Sequence, residues 1–80
     1  MNIKMNIKKF TELFAEQFED SDDVTFESAT EFKHLDEWSS IMSLMIISMI
    51  KDNYNATITA KDIDNATIID DLYKVVLSQQ

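Results

Sequence analysis

The sequence predicts an all-α fold: a bundle of three longer helices and one short third helix, with a long first connection. Three observations carry this expectation. The chain holds no glycine and no proline, the residues that most often interrupt helices. Apolar residues recur at spacings of three and four near the start, at Ile7, Phe10, Phe14 and Phe18. The polar punctuation takes the form of helix starts: Ser28-Ala29-Thr30-Glu31, Thr59-Ala60-Lys61-Asp62 and Thr67-Ile68-Ile69-Asp70 all read as capping boxes.

The first helix is expected over about 5–19, burying Ile7, Phe10, Phe14 and Phe18 with Leu13 beside them and leaving Lys8, Lys9, Glu12 and Glu16 in solvent. Asp20-Ser21-Asp22-Asp23 ends it. Without a glycine at a sharp turn or a closing Glu at the proper spacing, these carboxylates read as a solvated loop rather than a calcium site. The stretch 24–38 is long for a structureless loop in so small a domain. Its capping box predicts a helical turn over 29–34, with Val24, Phe26, Phe32, Leu35 and Trp38 as apolar anchors. The second long helix should start at Ser39 or Ser40, either of which can cap it, and run to Asn53. Leu44, Ile47 and Ile50 then share one face with Ile46 at its edge, Met42, Met45 and Met49 lie on an adjoining face, and Met42 and Met45 are neighbours off the core. Asn55 suits the left-handed stop that glycine usually supplies. An extended link over 56–58 leads to a brief helix ending near Asn65. The last helix buries Ile68 or Ile69, Leu72, Val75 and Val76, with Asp70 and Asp71 at its positive end.

Composition bounds the function. Eighty residues and 9.3 kDa make one domain, 1–80, in which 1–5 is expected to be a loose start. Fifteen acidic residues face seven lysines and no arginine, a net charge of -8. Such a chain lacks the basic face that phosphate neutralisation needs, so nucleic acid is excluded as a partner and basic protein surfaces are favoured. No cysteine means no disulfide, thiolate zinc site or thiol nucleophile, and no glycine means no phosphate-cradling loop. The single histidine, His34, falls on an expected exposed turn beside Lys33, Asp36 and Glu37, away from any serine it could activate. The carboxylates fall on solvated faces, so no catalysis by the chain itself is expected. The apolar run 41–50, broken by Ser43 and Ser48, is too short to span a bilayer. Residues 1–9 carry lysines but no apolar run behind them, so no signal peptide is expected, and the sequons at Asn55 and Asn65 read as chance. The expectation is a soluble, cytoplasmic, monomeric protein.

The informative stretch is Leu35-Asp36-Glu37-Trp38-Ser39-Ser40-Ile41, a loop running into a helix start. Free N–H groups and the positive dipole end favour a phosphate ester there. From the residues alone, Ser40 reads either as a helix cap or as an exposed hydroxyl available for modification. Further along come Tyr54 at the helix end, Asn55 at the turn, Ile58, Ile63 in the short helix, and a Thr-Ile-x-Asp-Leu segment over 67–72. In these features, from about Ile7 to Val76, the chain resembles the acyl carrier proteins, the phosphopantetheine-binding family, and in particular stand-alone members with a tryptophan ahead of the modified serine.

The resemblance implies an acyl-carrier-like bundle with a 4'-phosphopantetheine arm, taken from coenzyme A, on Ser40, with Ser39 the lesser candidate. It implies a phosphopantetheinyl transferase as one partner, and acyl-transferring or acyl-modifying enzymes of fatty-acid, polyketide or related biosynthesis as others. An aminoacyl or peptidyl carrier, or an unmodified helical interaction module, are the alternatives. The chain departs from the family pattern in three places: Ser39 stands for the usual Asp, Ile41 for Leu, and Asn55 for Gly. Family members of the fatty-acid type also carry acidic residues along this helix, where Met42, Met45 and Ser48 stand here. Met42 and Met45 read either as partly buried residues at the core edge or, with Ile41, as a soft apolar docking patch, with Asp36 and Glu37 as the acidic residues that reach a partner.

Overall fold

The computed structural model describes residues 6–19 and 24–80. The described residues form four α-helices and no strand, a small helical bundle. The expected loose start at 1–5 and the Asp20–Asp23 loop lie outside them.

The first helix, α1 (Ile7–Ala15), begins where the Asn6 side chain accepts from the Lys9 N–H at 2.7 Å. It is shorter than the expected 5–19. After Ala15 the chain tightens: the N–H of Gln17 donates to Phe14 and that of Phe18 to Ala15, three residues back rather than four. Those turns still deliver Phe18 to the core beside Phe10 and Phe14, while Ile7 and Leu13 pack half-buried at its edge. Thr11, also buried, donates its hydroxyl to the Ile7 carbonyl at 2.7 Å.

The connection departs from expectation. The Ser28 box opens no helix. The Glu27 N–H donates to the Thr30 hydroxyl at 2.8 Å, and only a 3-10 turn, Phe32–His34, forms further on, without a side-chain cap. The reason is long-range. The carbonyls of Thr30 and Ser28 accept the first N–H groups of the last helix, from Ile69 at 3.2 Å and Asp70 at 2.9 Å, which ties the segment to that helix as a single turn, closed by the Thr30 N–H on the Glu27 carbonyl at 3.0 Å. An aromatic cluster anchors the second half of the connection. Phe32 is fully buried, edge-on to Phe14, and Trp38 lies parallel to Phe14 and edge-on to Phe32. Phe26, Leu35 and Trp38 pack half-buried against the core, as expected of anchors.

Helix α2 (Ser40–Tyr54) ends at Asn55, whose φ of 52° is the left-handed stop the sequence predicts. Its buried residues are Met42, Ile46, Met49 and Ile50. The expected division of faces is therefore corrected. Leu44 is exposed, Ile47 is only half-buried, and Met42 and Met49 join the core.

Helix α3 (Ala60–Asn65) opens with the expected capping box, Thr59 and Asp62 each bonding the other's backbone N–H. Helix α4 (Ile69–Ser78) starts one residue later than the Thr67 box would place it. The Asp71 carboxylate accepts from the backbone N–H groups of Thr67 and Ile68, at 2.8 and 3.0 Å. These bonds hold the Asp71 carboxyl below its ordinary value. Ile69, Leu72, Tyr73 and Val76 are buried, with Val75 half-buried. Helix α1 packs on α2 and α4, and α3 packs on α4. Phe10 sits between the rings of Tyr54 and Tyr73. Burial, and then Tyr73 beside it, push the Tyr54 hydroxyl above its usual range. The Gln79 side-chain amide donates to the Thr57 carbonyl at 2.7 Å and accepts from the Thr57 N–H at 2.9 Å, tying α4 to the link between α2 and α3.

Candidate functional site

The start of α2 separates the two serines that the sequence leaves equivalent. Ser39 has extended backbone (φ -158°, ψ 175°) and is the N-cap. Its Oγ accepts from the Met42 N–H at 3.3 Å, and its carbonyl accepts from the Ser43 N–H at 3.0 Å. Ser40 is the first helical residue. It is exposed, and among the described residues no group hydrogen-bonds to its Oγ. A cap is thus filled by one serine, which leaves the other hydroxyl at the positive end of a 15-residue helix with no structural duty.

The turn before this helix start holds it in place. The Trp38 N–H donates to the Leu35 carbonyl at 3.0 Å, and the indole stacks on the aromatic cluster. The backbone that enters Ser39 is therefore fixed to the core one residue upstream.

Two grooves flank the serines. One, of about 470 Å³, runs from Ser39, Ser40 and Ser43 between α2 and α3, floored by Trp38, Ile47 and Ile63 with Leu44 at its lip. Lys33 lines it and donates to the Asp64 carbonyl at 2.9 Å, bridging the 3-10 turn to the end of α3. The other, of about 240 Å³, lies towards α1, between Glu19, Glu37, Ser39, Ile41 and Met45. There the Glu37 carboxylate accepts from the Glu19 N–H at 2.8 Å, which joins the end of the first helical segment to the turn before α2. A further groove, about 590 Å³, is elsewhere, between α1 and Val24–Ser28, and Ser40 has no part in it.

The remaining expected site residues divide. Asp36 is exposed and Glu37 half-buried, both on the turn before Ser39. Ile41 is 69% exposed and Met45 36%, so both reach the surface beside Ser40. Met42 is corrected: at 5% exposure it faces the core, because its position on α2 falls beside Ile46 and Met49 rather than beside Met45. Leu44, 66% exposed, is a surface residue that sequence reasoning assigned to the interior. Helical geometry from Ser40 could have found it, since Ile41, Leu44, Met45 and Ser48 share one side at 3.6 residues per turn.

No histidine lines either flanking groove. His34 is exposed and lies 3.7 Å from Glu31. Among the described residues no group of acidic or histidine side chains is gathered as a metal site, and no helix is long and apolar enough to cross a membrane. The Ser40 hydroxyl thus stands exposed at a groove that Lys33 and Asp64 also line. Compared with protein-family models, with curated proteins and with solved structures, the chain shows no match to any of the three.

Proposed function

We propose that the protein is a stand-alone acyl carrier, modified on Ser40 with 4'-phosphopantetheine. One observation carries the reading: Ser39 takes the capping role, so the Ser40 hydroxyl stands exposed and unengaged at the first turn of α2. The order and lengths of the helices and the Asn55 turn agree with the resemblance drawn from the sequence.

The modification is a phosphoryl transfer performed by a separate Mg²⁺-dependent phosphopantetheinyl transferase. The Ser40 Oγ attacks the pyrophosphate of coenzyme A at the phosphorus nearer the pantetheine. A serine phosphodiester forms, adenosine 3',5'-bisphosphate leaves, and the hydroxyl proton passes to the transferase. The N-terminal N–H groups of α2 favour the resulting negative charge. The arm's terminal thiol then holds an acyl group as a thioester and presents it to acyl-transferring and acyl-modifying enzymes in the cytoplasm. The protein acts as a monomer, binds no nucleic acid, and does no chemistry itself.

The test is intact mass after incubation with coenzyme A, Mg²⁺ and a phosphopantetheinyl transferase, beside Ser40→Ala and Ser39→Ala. The expected result is one phosphopantetheine increment, retained in Ser39→Ala and lost in Ser40→Ala. Loss only in Ser39→Ala would move the site by one residue. No increment with several transferases, the host's own included, would overturn the carrier reading in favour of an unmodified interaction module.

A further inference from the structure

We infer that the groove between α1 and Val24–Ser28 is a binding site for a small organic cation, a protonated amine on an apolar body. The groove holds about 590 Å³, within the ~300–1,000 Å³ usual for small-molecule pockets. None of its lining residues lines either groove at Ser40. The site is therefore independent of the carrier reading and stands or falls without it.

The body of the ligand follows from the floor. On α1, Ile7, Thr11 and Ala15 line the groove at intervals of four, so they form one stripe along the helix. Val24 and Phe26 line it from the connection. Ile7, Ala15, Val24 and Phe26 are all half-buried, which leaves apolar surface that the core does not cover. The Phe26 ring is anchored against Phe18, with ring centres 5.1 Å apart. Ala15 contributes only a methyl group, so the stripe is low at that point.

The head of the ligand follows from the polar lining, in which acceptors prevail. Glu12 stands on α1 and Glu27 on the connection. Neither carboxylate has a hydrogen-bond or ion-pair partner among the described residues. The Thr11 hydroxyl gives its proton to the Ile7 carbonyl at 2.7 Å, so towards a ligand its oxygen only accepts. Lys8 also lines the groove, but two carboxylates outweigh one ammonium, and the lining is net negative. A ligand ammonium would meet opposite charge beside apolar walls that keep part of the water away, and the face of Phe26 adds cation–π attraction. An anion would meet two carboxylates on a chain of charge -8. A second copy of the chain is disfavoured on the same ground.

The probe is n-octylammonium chloride, titrated into the full chain at low salt, below its micelle concentration, and followed by amide NMR shifts. Saturable shifts are expected at Ile7, Thr11, Ala15, Phe26 and Ser28, with α2 unmoved. Octanol lacks the charge, octanoate reverses it, and ammonium chloride lacks the body. Each should bind at least about tenfold more weakly. Glu12→Gln and Glu27→Gln should each weaken octylammonium binding about two- to fivefold, the range of an exposed ion pair. Glu16→Gln removes the same charge from α1's C-cap position, outside the groove, and should leave binding unchanged. All three glutamates are exposed, so wild-type circular dichroism is expected of each variant. Ala15→Leu fills the groove and should abolish the shifts. Should that variant not fold, the three glutamine variants decide the matter alone. Equal binding by octanol or octanoate, or an equal loss in Glu16→Gln, would overturn the inference. So would shifts at the groove amides that follow protein concentration without any amine, which would make a second copy the occupant.

Discussion

Ser39 and Ser40 are chemically alike and adjacent in the chain, yet they stand in different backbone conformations, and their substitutions should separate cleanly. Ser39→Ala removes the acceptor for the Met42 N–H and is expected to cost about 1 kcal/mol, read by urea unfolding. Ser40→Ala touches no hydrogen bond in the described structure and should change stability by less than about 0.5 kcal/mol. Asp71 provides a pH test. Backbone bonds from Thr67 and Ile68 lower its folded pKa below the ordinary 3.8. Its contribution is therefore present above the unfolded value and is lost as pH falls through the lower folded one. Asp71→Ala should be less stable than wild type at neutral pH, with the gap closing in acid, measured by urea midpoints across the pH series. The position of the cap was only half legible in the sequence, because two adjacent serines offer the same oxygen. Choosing between them needs the direction from which the chain enters, and Trp38 sets that direction by packing in the core.

At the scale of elements, α2 is where periodicity misled. Nearly every residue from Ile41 to Ile50 is apolar or a small serine, so the pattern has little contrast and does not say which arc is buried. The other helices alternate apolar with charged residues, and their buried faces were readable: Phe10, Phe14 and Phe18 in the first segment, Leu72 and Val76 in the last. The corrected face of α2 makes two methionines unequal. Met42→Ala should cost about 2–5 kcal/mol by opening a cavity against Ile46 and Met49, while Met45→Ala should cost under about 1 kcal/mol, both by chemical denaturation. The end of α2 was legible outright, since Asn is the best residue after glycine for a positive φ. Asn55→Ala should destabilise by about 1–2 kcal/mol, whereas Asn55→Gly should be neutral or stabilising, compared by thermal melts.

At the scale of the whole molecule, charge works against the fold. The pairs His34–Glu31 and Lys74–Asp70 lie on the surface and contribute little against a net -8. Added NaCl screens that self-repulsion, so the thermal midpoint should rise with salt, and a fall would show that surface pairs matter more than the net charge. Whole-molecule contacts are also what the sequence concealed. The connection over 24–38 promised a helix by its local capping box, but its carbonyls are claimed by N–H groups of α4 some forty residues later. No window of neighbouring residues contains that information, and local signals lost to a distant partner.

The seating of Trp38 has a practical consequence. It is the single indole in the chain, it stacks on Phe14 and Phe32, and it lines the groove that opens at Ser40. The molecule thus carries its own optical reporter, wired at once to the interior and to the proposed site. Its emission wavelength follows opening of the bundle, because only unfolding takes the ring off its aromatic neighbours. Its intensity is expected to change when the groove is occupied, because Trp38 lines that groove with Ser43 and Ile63. Loading and unfolding can then be watched together, without a label, on the unaltered protein.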